Sequence, residues 1–260
     1  VHVLLIALAA GYGVIAGLLV GRPLFRLTVQ PDEPWRAACP GGHPLTGPAA
    51  GWLGLARCAP CGHGGHDGPS GGWRTGLGAY GPSVPLVAGV CALVCAGLAA
   101  AVGARPELVV WLLLVPLCVL LAGVDLAVHR LPDVLTLPMA GGSVALLGGA
   151  ALLPGTAGSW SRAVFGGLAL GGAYFVLFLI NPNGMGFGDV KLALTAGVAL
   201  GWYGWDVLFL GAFTGLLLGA FYGVALVLTR RAGRKAAMAF GPFMIIGAGA
   251  GILLGGLAAG

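Results

Sequence analysis

The chain has 260 residues, of which 58% are hydrophobic and only 8% charged, with a formal net charge of +5. A soluble domain carries about 25% charged residues, so this composition excludes a water-covered globule. The 13 Lys and Arg residues are scattered over segment ends and build no basic helix face, which excludes a nucleic-acid partner.

Apolar runs of membrane-spanning length recur along the chain. They cover residues 3–20, 85–103, 108–128, 134–153, 163–180, 190–202, 207–229 and 240–257, the sixth being short. The expected fold is an all-α polytopic integral membrane protein of about eight transmembrane helices in a lipid bilayer. Only His2 and no Lys or Arg precedes the first run, so residues 1–20 read as a retained first helix, not a cleaved signal. Residues 21–83 form the one long polar segment, and residues 84–260 form the main membrane domain. Many of the 50 glycines sit inside apolar runs, where small residues let helices approach closely.

Lysine and arginine set the orientation. With the N-terminus outside and one crossing per run, Arg22, Arg26, Arg36, Arg57, Arg74, Arg130, Lys191, Arg230, Arg231, Arg234 and Lys235 fall on the cytosolic side. Only Arg105 and Arg162 fall outside. This bias supports a multi-pass protein of the cell membrane with residues 21–83 in the cytosol. The same topology puts Asp125, at the end of the third run, and Asp189, at the start of the sixth, at similar depth on the cytosolic side.

An Asp in an apolar helix costs about 2.5–3.5 kcal/mol at mid-membrane and less at a helix end. Alone, each acid also reads as an ordinary interfacial carboxylate, Asp125 beside Arg130 and Asp189 as a helix N-terminal charge near Lys191. As a pair they acquire chemistry. Two close carboxylates share a proton, so one can act as base on a water while the other donates to a carbonyl. That hydrolyses a peptide bond without a cofactor, and the sequence holds no competing Ser-His-Asp or HExxH arrangement. Before Asp189, Gly184, Gly186 and Gly188 leave backbone uncovered at every second position, open to a partner helix or a substrate strand. Lys191 either supports Asp189 electrostatically or snorkels to the interface. His129 reads as a solvated loop histidine.

The run GMGFGDVKL resembles the GxGD motif of the type IV prepilin peptidases, the aspartic leader peptidases of pilins and type II secretion pseudopilins. The segment from Asp125 through Arg130-Leu131-Pro132-Asp133 to Leu135-Thr136-Leu137-Pro138 is similar to that family's first motif, and Phe240-Gly241-Pro242-Phe243 to the opening of its last span. The resemblance covers about the last 140 residues, in the family's order. It implies that Asp125 and Asp189 are the catalytic pair, that the substrates are prepilin-like membrane proteins, and that the cut is cytosolic. Gly184, Gly186, Gly188 and Lys191 are then candidate substrate-binding positions.

Many members of that family carry a cytosolic loop with CPxC and CxxC knuckles, which accompanies N-methylation of the new N-terminus. Here the loop reads Cys39-Pro40-Gly41-Gly42-His43 and later Cys58-Ala59-Pro60-Cys61. The first knuckle has Gly42 where a cysteine would stand. Cys39, His43, Cys58 and Cys61 form a possible structural zinc site, with His63 or His66 as alternative fourth ligands. The loss of that cysteine, and an altered segment after the first run, weigh against methyltransferase activity. A bifunctional peptidase and N-methyltransferase is one alternative. A transporter using the two Asp as a proton relay is the other.

Overall fold

A computed structural model describes residues 2–30, 33–63, 74–75, 79–81, 83–182, 184–229 and 239–259. His66, Arg230, Arg231, Arg234 and Lys235 lie outside the described residues. In chain order the elements are α1 (His2–Leu27), α2 (Pro48–Gly51), α3 (Ala59–His63), β1 (Arg74–Thr75), β2 (Ala79–Tyr80), α4 (Val84–Val102), α5 (Glu107–Val128), α6 (Asp133–Ala151), α7 (Trp160–Ile180), α8 (Phe187–Tyr203), α9 (Trp205–Leu228) and α10 (Gly241–Ala258). The two strands pair antiparallel, Arg74 opposite Tyr80.

Seven of these helices, α1, α4, α5, α6, α7, α9 and α10, are long and apolar enough to cross a membrane. The eighth long helix, α8, has 17 residues and is sheathed by its neighbours. Every residue from Thr195 to Trp202 is buried. Helices α6, α7, α9 and α10 all pack against it.

Close backbone approach makes this packing possible. A Cβ on Gly197 would strike the backbone of Gly166 and Gly167, and one on Gly247 would strike that of Gly211 and Gly215. In an apolar solvent the gain comes from contact at short range, which any side chain there would forbid. These contacts join α7 to α8 and α9 to α10, and so fix α8 in the middle of the bundle.

Helix α1 runs on to Leu27, past the expected end at residue 20. The reason lies in the loop. Arg22 Nη1 donates to the Thr46 carbonyl at 2.8 Å, and Arg26 Nη1 donates to the Ala50 carbonyl at 3.0 Å. The last turns of α1 therefore serve as a post on which the following loop is hung. Phe25, Cys39, Leu45, Ala56, Tyr80 and Val84 form a small apolar core beneath that loop.

Candidate active site

Asp125 lies in the last turn of α5, where the His129 N–H donates to its backbone carbonyl at 2.8 Å and His129 closes the helix in the left-handed conformation. Asp189 lies in the first turn of α8, its N–H donating to the Gly186 carbonyl at 3.0 Å. Both side chains are buried, at 4% and 8% exposure. They come from opposite helix directions and lie at one end of the bundle, within electrostatic range of each other.

The N–H of Gly241, at the start of α10, donates to Asp125 Oδ2 at 2.9 Å. A buried carboxylate needs such a donor, and a helix N-terminus supplies it together with a favourable dipole. Leu131, in the α5–α6 connection, fills the space between the two acids' supports. A Cβ on Gly188 would lie 2.8 Å from Leu131 Cβ, and one on Gly241 would lie 3.5 Å from Leu131 Cδ2. Tyr174 of α7 is buried, stacks on Phe240 at 6.1 Å between ring centroids, and lies within electrostatic range of Asp189.

Arg130 makes no ion pair with Asp125. Its Nη1 donates to the Gln30 carbonyl at 3.3 Å, which ties the α5–α6 connection to the chain leaving α1. Lys191 does not face Asp189 either. Its Nζ sits 2.6 Å from Asp133 Oδ1 and 4.7 Å from the centre of the Phe187 ring. Trp35, Arg130, Leu131, Asp133, Phe187, Gly188 and Lys191 line an open cleft of about 440 Å³, and neither Asp125 nor Asp189 is among its lining residues.

The three glycines before Asp189 fill different roles. Gly184 and Gly186 are exposed, and a Cβ on Gly186 would meet Asp189 Oδ2 at an ordinary 3.5 Å and the Gly188 nitrogen at 4.0 Å. Gly188 is packed on Leu131. Gly188→Ala is therefore expected to cut turnover at least about tenfold, and Gly186→Ala to leave it within about threefold, in a single-turnover cleavage assay. Equal behaviour of the two variants would refute this distinction.

Sequence reasoning assigned no role to Leu131, Asp133, Gly241 or Tyr174. Leu131 and Asp133 lie in the RLPD segment and Gly241 in the FGP segment, both visible as motifs. Tyr174 carries no sequence signal.

The Cys/His cluster forms at the other end of the loop. The Cys39 N–H donates to the His43 carbonyl at 2.9 Å, which folds residues 39–43 into a tight turn, with Gly42 at φ 82°. Cys58 and Cys61 approach from the start of α3. All four ligand atoms lie within 4.8 Å of one another. His43 Nδ1 is 3.5 Å from Cys39 Sγ, 3.6 Å from Cys58 Sγ and 3.3 Å from Cys61 Sγ, and the Cys39 and Cys61 sulfurs are 3.6 Å apart. A tetrahedral ion with metal–sulfur bonds of about 2.3 Å and metal–nitrogen bonds of about 2.0–2.1 Å separates its ligand atoms by roughly 3.6–3.8 Å. The cluster fits a metal ion.

The sequence model of the type IV leader peptidase family matches residues 112–228, which include both Asp125 and Asp189. A "Prepilin leader peptidase/N-methyltransferase" of Aeromonas hydrophila is 31% identical over 252 residues, covering 91% of this chain and 76% of its own. The chain belongs to the type IV leader peptidase family. A protein of the same name from Aeromonas salmonicida is 31% identical over 243 residues, covering 85% of this chain and 72% of its own. One from Pseudomonas putida is 35% identical over 174 residues, covering 66% and 58%. No solved structure matches the chain. This leader peptidase is thus a multi-pass membrane enzyme with a peptidase's chemistry.

Proposed function

We propose that Asp125 and Asp189 are the catalytic carboxylates, and that the enzyme removes leaders from prepilin-like membrane substrates on the cytosolic face. The observation that carries this reading is the placement of two buried carboxylates at one end of the bundle within electrostatic range, with Asp125 held by the Gly241 N–H. Held through Oδ2, Asp125 keeps Oδ1 for a water or a proton. The pair shares one proton. The ionised acid takes a proton from water as it attacks the scissile carbonyl, and the protonated acid donates to the carbonyl oxygen. The acid that took the water's proton then gives it to the amide nitrogen as the C–N bond breaks, and a diol hydroxyl returns its proton to the other acid, which regenerates the carboxyl group.

The orientation follows from charge. Arg22, Arg26, Arg130 and Lys191 sit at the end that holds the acids, while Arg105 bonds the Gly256 carbonyl at 3.0 Å, at the far end of α10. The positive-inside rule makes the acid-bearing end cytosolic. The scissile bond then lies just below the bilayer, at the base of an apolar substrate helix.

Incubating the purified protein in lipid with a synthetic substrate, a basic leader followed by Gly and an apolar helix, tests this reading. A single cut after the Gly is expected, and with a methyl donor added the product mass gains no methyl group. A proton relay would instead give pH-driven flux and no cut, and that result would overturn the assignment.

We assign the Cys39, His43, Cys58 and Cys61 cluster to structural zinc. Burial pushes the Cys39 thiol up, but hydrogen bonds from His43, Cys61 and Cys58 outweigh it and bring it down to about 7. Burial and the adjoining Cys39 and Cys58 push Cys61 up to about 11. Sulfurs this close give up their protons together only around a cation, and zinc takes this donor set. The ion would contribute folding energy to a loop with only a small core of its own. Cys58→Ser is expected to lower bound zinc from about one per chain to near zero and to expose the loop to protease. Zinc analysis and limited proteolysis check this, and an equal zinc content in parent and variant would refute it.

A further inference from the structure

We propose that Lys191 and Asp133 form a clasp that positions Asp189 against Asp125. This inference rests on the reading of the two acids as the catalytic pair and adds the residues that set their separation. Lys191 is two positions beyond Asp189 on the same helix, and residues two apart do not face each other. Its ammonium crosses to α6, 2.6 Å from Asp133 Oδ1. Lys191 is only 14% exposed, whereas Asp133 is 63% exposed. The nearly covered cation is also held over the Phe187 ring, which itself packs on Phe178 of α7 at 5.3 Å between centroids. Its direction is therefore set by packing, and Asp133 meets it from the first turn of α6, where a negative charge suits the helix dipole.

The positions of the two partners matter more than the strength of the bond. A half-exposed ion pair contributes little to stability. This one joins the turn that carries Asp189 to the segment that follows Asp125. Between them Leu131 is wedged against Gly188 and toward Gly241, the residue that holds Asp125. The clasp closes the α5–α6 connection onto α8 and keeps Leu131 in place. Without it, α8 keeps its packing against α6, α7, α9 and α10, but the two carboxylates lose their mutual register. Displacements of about 1 Å cost about a hundredfold in rate when reacting groups must share one water. Lys191 is thus a positioning residue.

The test is steady-state cleavage of the same synthetic substrate by the full chain in lipid nanodiscs. Lys191→Met keeps the apolar stem over Phe187 and removes the charge. Asp133→Asn removes the opposite charge, and the double variant removes both. Each of the three is expected to lower kcat about tenfold with KM within about twofold, because one interaction is lost in every case. Lys191→Arg restores the charge and should stay within about threefold of the parent. The clasp is overturned if the double variant loses the product of the two single losses, if KM rises while kcat holds, or if Lys191→Arg is as slow as Lys191→Met. Asp189→Asn run alongside separates the two levels. Survival of turnover in Asp189→Asn overturns the catalytic assignment and the clasp with it. An inactive Asp189→Asn beside an unaffected Lys191→Met overturns the clasp alone.

Discussion

Asp125→Asn and Asp189→Asn are each expected to lower cleavage at least about a thousandfold while leaving the fold intact. General acid and base roles contribute about 10²–10⁴ each, and the two acids hold different roles at every step, so neither can substitute for the other. Asparagine matches the shape of aspartate, and its carbonyl can still accept the Gly241 N–H that now reaches Asp125 Oδ2 at 2.9 Å. Both side chains are buried, so removing a charge there lowers the cost of placing the helix in lipid. The variants should therefore melt at the parent's temperature or above it. Initial rates and a thermal melt in the same detergent measure both quantities. Turnover within tenfold of the parent in either variant would remove that residue from the chemistry, and a lowered melt with lost activity would point to a structural role.

Much of this site was legible in the sequence because lipid imposes few solutions. Apolar runs had to become helices, and they did at 2–27, 84–102, 107–128, 133–151, 160–180, 187–203, 205–228 and 241–258. Cation placement put Asp125 and Asp189 at one end of the bundle before any contact was known. The Cys39-x-x-x-His43 spacing allowed the ring to stand in for a missing cysteine, and the turn closed by the Cys39 N–H and the His43 carbonyl brings the ring beside the three sulfurs.

What stayed hidden depends on partners far apart along the chain. The end of α1 read as a break because Gly21, Arg22 and Pro23 follow the apolar run, yet Arg22 and Arg26 carry the helix on by bonding loop carbonyls more than twenty residues away. Lys191 reads as a neighbour of Asp189 on paper, and helix geometry turns it to Asp133 instead. In space, Trp35 lines the cleft beside Lys191 and Asp133, and Gln30 accepts from Arg130, so residues that follow α1 reach the α5–α6 connection. A polar atom's partner 116 residues away, such as Gly241 for Asp125, leaves no periodicity to find.

That bond supports the second large effect. Gly241→Ala is expected to lower kcat about a hundredfold with little change in KM. A Cβ at Gly241 would lie 2.8 Å from Asp125 Oδ2, closer than real Cβ atoms stand to any heavy atom, with Leu131 Cδ2 on another side at 3.5 Å. The position is buried in the first turn of α10, between Phe240 and Pro242, so the backbone has little freedom to yield. Asp125 must move, and its carboxylate leaves the N–H that orients it. A shift near 1 Å is enough for a loss of about a hundredfold. The opposing tendency is small, since replacing a helical glycine by alanine otherwise stabilises by about 0.5–1 kcal/mol. Gly249→Ala is the matched control, on the same helix with nothing within 4 Å of the added methyl. It should keep the parent's kcat and melt slightly higher. Rates of the two variants on one substrate separate a local effect on Asp125 from any general effect of alanine in α10. Equal kcat in Gly241→Ala and Gly249→Ala would show that the Gly241 N–H does not orient the acid.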